Sequence, residues 1–546
     1  MKFDYRYYGN TAIDSGPTAT DMSFSPDTSR KETYFTGEIG KSLEFREAVS
    51  ALHDVVVSDL RFKPKDKSEY KAWAAERETI DWQAVAAQRS TLAAQIATLQ
   101  GELTELQKRR NTRLQGFYAA QRRYFDYLYQ KDRDAWFVLD PVITVHPDEV
   151  FFECFSQDES SYGRLGVSYE AFRSVGELAC GTTNVDYSAA LYDEFQKIRR
   201  YKATRFEVDP SGFVVATEDE DTYKEVKIDL PDSWVRGFLQ VSSAMTLPTT
   251  SFDLHPMDVH NLCFVLRRHR EKTGPRAMRW LLTPGAPVRV IFEPWGIEVV
   301  CPRSLYQGHQ AQEIRVWGRR RIHILERLIP IARRFTVHLL GKGLPSFYVA
   351  DLGDLTFTLG LSGWTANDWS TAGNFDLMAP RAEVDEFTKR RVFAALKETW
   401  LDSPDALAAR LGLDRSVVLG ALGAFTQAGR AIYDLSKRVY RVRELSRDPL
   451  PMEQLRFANP REERSTMLVA ANAAKVTARE GGGGSLVLTG KVHERQRIHD
   501  VELTTDRDER LIQASCTCNY YTQNKLYKGP CEHMLAVRMQ HRLNIN

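Results

Sequence analysis

Four residues near the C-terminus have side chains and spacing that can do chemistry. Cys516 and Cys518 stand one residue apart in Ser515-Cys516-Thr517-Cys518, and beyond a spacer Pro530-Cys531-Glu532-His533 supplies a third thiol and an imidazole. Zinc takes soft or borderline donors in a tetrahedron, and three thiolates with one imidazole fill it, leaving no open position for a substrate. The expected chemistry is therefore structural, with Zn2+ held by Cys516, Cys518, Cys531 and His533. Buried cysteines are common as packing residues. Three of them in so short a stretch, beside a Cys-x-His and in a segment too small to build its own core, point to a metal instead.

The elements that must position these donors are short. Leu486 to Val492, Asp500 to Thr504 and Leu511 to Ala514 are β-prone and separated by polar turns, so a small sheet is expected to lead into the first two thiols. Cys531 opens a helix that runs through Leu535, Val537 and Met539, and the unpaired amides of a helix start favour a thiolate there. Ahead of the sheet, Gly481-Gly482-Gly483-Gly484-Ser485 holds no preferred backbone state. Residues 446–485 accordingly read as a flexible linker, and 486–546 as a module that folds apart from the rest.

Cys-x-Cys, a variable gap and Cys-x-His after β-strands resemble the SWIM zinc finger, and all four ligand positions match at Cys516, Cys518, Cys531 and His533. The resemblance implies a ββα zinc module that binds DNA or proteins. Upstream, Gly343 to Asp351 and Leu359 to Trp369 are similar to the long bacterial SWIM proteins. That likeness implies protein partners: a MoxR-type AAA ATPase and a von Willebrand factor A domain protein.

The remaining chain reads as a multidomain α+β protein. Residues 1–66 are expected to form an irregular arm and its continuation, polar and without a period over the first stretch. Residues 67–136 lack proline, are rich in helix formers and repeat Val85, Leu92, Leu99 and Leu106 every seven, with Ile96 and Leu103 between. This is a helical, coiled-coil-like segment. Residues 137–383 mix hairpin signals with helical stretches and form an α+β body. Arg205 to Val208 with Phe213 to Ala216 is one such hairpin, and Val288 to Glu293 with Ile297 to Val300 is another. Residues 384–445 read helix, short helix, helix and hairpin, the order of a winged helix-turn-helix. Ser403-Pro404 starts its second helix and Gly412 ends it.

Composition narrows the function. The 546 residues carry 74 Lys and Arg against 72 Asp and Glu, so no strong overall field draws polyanions. The third helix of the 384–445 block is apolar but for Arg415, and the cations of its wing are Lys437, Arg438, Arg441 and Arg443. In the finger, Arg495, Arg497, Lys525, Lys528, Arg538 and Arg542 lie among Tyr520, Tyr521 and Tyr527. Nucleic-acid binding through these residues stands as the second reading and is expected to be weak. No charged leader with an apolar core opens the chain and no apolar run is long enough to cross a bilayer, so a cytoplasmic location is expected. Seven cysteines, four of them scattered, form no disulfide framework. No nucleophile elbow, dinucleotide or kinase signature appears. The reading is a non-enzymatic interaction or adaptor subunit.

Overall fold

The structure is a computed structural model. It describes residues 12–15, 19–24, 33–58, 141–184, 195–196, 198–199, 203–208, 232–270, 277–341, 343–363, 369, 375–378, 384–445, 460–481, 485–494, 497–506, 510–526 and 528–545. The coiled-coil segment expected at 67–136 lies outside the described residues.

Alternating and fully apolar β-prone runs build an eight-stranded antiparallel sheet. Its order is Thr250–Leu254, Arg334–Leu339, Ser346–Asp351, Leu355–Leu361, Ser161–Ser168, Glu149–Phe155, Val142–Val145 and Gly181–Asn184. Glu149–Phe155 is buried along its whole length, as a central strand covered on both faces must be. One cover is the helix Ser42–Val56, which buries Phe45, Val49, Leu52, Val55 and Val56. Gly163 lets it approach, because a Cβ there would meet Val55 at 3.0 Å and Leu52 at 3.2 Å. The helix falls in the entry segment that follows the arm expected up to about Thr36, and that expectation of an irregular arm is corrected by the strands Ala12–Ser15 and Ala19–Phe24. Tyr34–Ile39 is also a strand, in a five-stranded sheet with 12–15, 19–24, Ala203–Val208 and Phe172–Ala179. Ala203–Val208 therefore pairs with the chain's N-terminal strands. Its expected hairpin partner, 213–216, lies outside the described residues. Pro287–Phe292 and Ile297–Leu305 do pair antiparallel across Pro294-Trp295-Gly296, within a further four-stranded sheet.

Residues 384–445 fold as Glu386–Thr399, Leu401–Asp402, Pro404–Leu411, Arg415–Gln427, Ala431–Asp434 and Val439–Val442, three helices with a three-stranded sheet. Asp385 and Ser403 cap the first two helices by accepting from Thr388 N and Ala406 N, at 2.9 and 3.1 Å. Gly412 ends the second at φ 62°, whereas Asp414 makes no side-chain cap to the third. The third helix turns Val418, Leu419, Ala421 and Leu422 into a core with Val392, Leu396, Leu407 and Val442.

The strand Val439–Val442 and the residue after it are bound to the body by buried charges. Arg443 Nη1 donates to both oxygens of Glu153 at 3.0 and 3.1 Å, and both side chains are fully buried. Arg441, also fully buried, donates to Asp434 at 2.8 Å and to both oxygens of Asp148 at 2.8 and 3.0 Å. Lys437 reaches Asp148 at 2.7 Å, and Arg164 of the body pairs with Glu149. Burial opposes ionisation of Asp148 and Asp434, but Arg441, with His146 at Asp148 and Arg164 at Asp434, holds both carboxyls well below the usual range. Their stabilising contribution is present above the ordinary aspartate pKa of about 4 and is lost as pH falls through the depressed values.

The linker expected at 446–485 is also corrected. Pro460–Ala470 is a helix, and Ala474–Glu480 is a strand paired along its length with Leu486–Glu494. The glycine run joins these two strands, with Gly481 N donating to Ser485 O at 2.8 Å. Glycine's freedom serves a hairpin connection here and not a joint between bodies. Among the described residues, no helix is long and apolar enough to cross a membrane.

Removing one partner of a buried ion pair strands the other charge, so Arg443→Met should cost about 3–5 kcal/mol. Glu153→Met in the same chain should recover much of it. Denaturant unfolding measures both, and a loss below about 1 kcal/mol for the single variant would contradict a buried pair.

Candidate metal centre

The C-terminal sheet has four antiparallel strands, Ala474–Glu480, Leu486–Glu494, Arg497–Thr505 and Leu511–Cys516, in sequence order. The helix Glu532–Ile545 packs on it, and Met534, Leu535, Ala536 and Val537 of the helix and Leu488, Val492, Val501 and Leu503 of the sheet are buried. Pro460–Ala470 packs beside that helix. The module is thus larger than the three strands and helix read from 486–546, and it begins inside the supposed linker. It also contacts the body: Arg538 donates to Leu377 O at 3.2 Å and Arg510 to Thr246 O at 3.1 Å.

Each donor sits where an element ends. Cys516 closes the last strand opposite Val501. The turn after it is pinned to the neighbouring strand by Thr517 N to Asp500 O at 3.1 Å and Asp500 N to Thr517 Oγ1 at 3.0 Å. Cys518 caps the helix Asn519–Asn524, its sulfur accepting from Tyr521 N at 3.4 Å. Cys516 Sγ accepts from Cys518 N at 3.4 Å. Amides directed at sulfur favour thiolates. Cys531 stands at the start of the long C-terminal helix, its carbonyl accepting from Leu535 N, and His533 lies in the first turn.

All four side chains are buried, and their donor atoms lie within 4.8 Å of one another. Cys516 Sγ is 4.0 Å from His533 Nδ1. Zinc–sulfur bonds of about 2.3 Å and zinc–nitrogen bonds of about 2.0–2.1 Å set tetrahedral edges of about 3.6–3.8 Å, so small side-chain adjustments suffice. The donor set fits a single zinc-like cation. On their own the donors share protons unequally. Hydrogen bonds from Cys516 and Cys531 favour the Cys518 thiolate, whereas hydrogen bonding to Cys516 and Cys518 holds the Cys531 thiol far above its ordinary range. Burial opposes charge on His533, yet its contacts with Cys516 and Cys518 lift it to about 10. A dication displaces these protons, so uptake must weaken in acid.

The surroundings of the four donors were not visible in their spacing. His533 Nε2 lies 3.2 Å from Glu494 Oε2, and Arg464 holds Glu494 Oε1 at 2.5 and 2.8 Å. The His499 ring lies against His533, with centroids 4.1 Å apart. Arg461 fixes the loop before Cys531 by donating to Pro530 O at 2.8 Å, Lys528 O at 3.1 Å and Tyr520 Oη at 2.5 Å. Arg461 and Arg464 both come from the helix inside the supposed linker.

The other cysteines gather no such company. Cys154, Cys263 and Cys301 are buried singly, and burial pushes the thiols of Cys263 and Cys301 up to about 12. The residues proposed for nucleic acid are partly spent. Arg538 is buried against the body, and Lys437, Arg441 and Arg443 are paired with carboxylates. Arg497, Lys525 and Arg438 remain exposed, while Arg495 and Tyr527 lie outside the described residues.

Residues 499–537 match the family model of the SWIM zinc finger, a span that holds all four donors. No curated protein matches the chain. Among solved structures, the chain is similar to the proliferating cellular nuclear antigen of Entamoeba histolytica, 8% identical over 60% of this chain and 98% of that one, with a TM-score of 0.33. It is also similar to A. fulgidus PCNA bound by the C-terminal region of FEN-1, 11% identical over 41% of this chain and 89% of that one, with a TM-score of 0.28.

Gly490 sets how closely the C-terminal helix approaches the sheet, because a Cβ there would meet Val537 at 2.5 Å and Lys475 O at 3.0 Å. Gly490→Ala should therefore destabilise the module by about 1–3 kcal/mol, and Val537→Ala in the same chain should restore part of it. Thermal unfolding of the two variants checks this. An unchanged midpoint in Gly490→Ala would show that the contact is not tight.

Proposed function

We propose that Cys516, Cys518, Cys531 and His533 hold one Zn2+ that keeps the C-terminal module folded, and that the chain is a non-enzymatic interaction subunit built around it. The convergence of four buried donors within 4.8 Å carries this reading. A tetrahedron filled by protein leaves no place for a substrate or an activated water, which is how structural zinc differs from catalytic zinc. The SWIM match supports a binding module.

The partners are proteins in this reading. The resemblance of Gly343 to Asp351 and Leu359 to Trp369 to the long SWIM proteins supports a MoxR-type AAA ATPase and a von Willebrand factor A domain protein, met in the cytoplasm. Three helices followed by a two-stranded wing in 384–445 support a winged-helix-like block. Its wing faces the body, which suits a docking role better than a grip on DNA. Nucleic acid stays the second reading, resting on exposed Arg497, Lys525 and Arg438.

Elemental analysis of the purified full chain should give one zinc per chain, falling to well under half an equivalent in Cys531→Ser. Well under one equivalent in the unmodified chain would defeat the metal assignment. A labelled duplex and a labelled single strand, titrated at 50 and 200 mM salt, should bind no tighter than about 1 μM at the higher salt. Nanomolar, steeply salt-dependent binding would make nucleic acid the partner.

A further inference from the structure

The metal site reaches beyond the segment that the family model covers. Its match begins at His499, whereas Glu494 ends the strand Leu486–Glu494 and Arg464 lies in the helix Pro460–Ala470. A histidine that offers one ring nitrogen to a metal needs a partner for the other, because that partner decides which nitrogen is free to coordinate. Here Nδ1 faces the sulfur of Cys516 at 4.0 Å, and Nε2 faces Glu494 Oε2 at 3.2 Å. The other oxygen of Glu494 is taken by both the Nε and a terminal nitrogen of Arg464. The His499 ring covers one side of the imidazole at 4.1 Å.

We propose that Glu494, held by Arg464, is the positioning residue for His533: it accepts the proton on Nε2 and so fixes the tautomer and ring orientation that present Nδ1 to the metal. The proposal rests on the zinc reading above and adds to it a residue from each of two elements outside the finger's own motif. Both side chains have an open face. Glu494 and Arg464 border a groove of about 570 Å³ with Pro460, Met467, Leu468 and His493. The acceptor is reachable from solvent, yet the donor it orients is buried. The outer partner therefore sets how firmly the metal is held without itself touching the metal.

The test compares the full chain with Glu494→Ala, Glu494→Gln and Arg464→Ala. Zinc affinity is read by competition with a chelator, and ligand geometry by the visible absorption of the cobalt(II)-substituted proteins. Losing a carboxylate behind a metal-bound histidine typically weakens metal binding about 10- to 100-fold. Glu494→Ala should fall in that range, with altered cobalt bands. Glu494→Gln retains an acceptor oxygen and should lose less, and Arg464→Ala should shift affinity in the same direction by a smaller factor. A merely structural role would lower the thermal stability of the metal-free and metal-loaded chains alike and leave affinity and cobalt spectrum unchanged, which would overturn the proposal. Two equivalents of metal in the unmodified chain, falling to one in Glu494→Ala, would also overturn it by making Glu494 a ligand. An unmodified chain that binds no zinc would fail the zinc reading itself, and unchanged affinity in a zinc-binding Glu494→Ala would fail this proposal alone.

Discussion

Three sulfur atoms and one imidazole nitrogen converge within 4.8 Å, and the chain from Pro460 to its last helix is arranged to keep them there. Such a cluster is unfavourable without a cation, because thiolates repel one another and thiols bury poor hydrogen-bonding groups. The surrounding elements therefore hold strand end, turn and helix start in register. The reciprocal Thr517–Asp500 pair fixes the first two cysteines, and Arg461 fixes the loop before the third. Glycine at 490 lets the helix that carries His533 close down on the sheet.

The same logic of buried charge joins the rest. Arg441 and Arg443 leave water completely, and each finds a carboxylate with good geometry on a neighbouring element. Pairs of this kind add little net stability compared with apolar residues of the same size, but they penalise any arrangement in which one partner is missing. They fix where the last hairpin of the 384–445 block rests and withdraw Arg441 and Arg443 from other uses. Arg538 and Arg510 serve the C-terminal module in a milder way, each donating from its guanidinium to a backbone carbonyl of the body.

How much of this was legible in the sequence depended on distance along the chain. The four donors were readable because their meaning lies in local spacing and in residue types that rarely gather by chance. Signals such as the Ser403 cap and the terminating Gly412 act within one turn of helix, so block 384–445 could be divided into its helices. Glu494 and Arg464 lie far from His533 in sequence and carry no pattern, so only the fold joins them to the site. The glycine run misled because composition reports backbone freedom but not what strands on either side do with it; pairing of 474–480 with 486–494 turned a joint into a hairpin. Lys437, Arg441 and Arg443 misled for a related reason, since a cation beside water and one beside a buried carboxylate look alike in sequence. Phe45, Val49 and Leu52 mark one helical face of Ser42–Val56 in the sequence too, but beside a polar start without a period that face does not stand out.

Everything from Pro460 onward turns on a closed tetrahedral site of three sulfurs and one nitrogen. X-ray absorption at the zinc edge on the purified full chain tests it most directly. Such a site gives three sulfur neighbours at about 2.3 Å and one nitrogen at about 2.0–2.1 Å. A first shell dominated by oxygen or nitrogen, or one with fewer than three sulfurs, would contradict it.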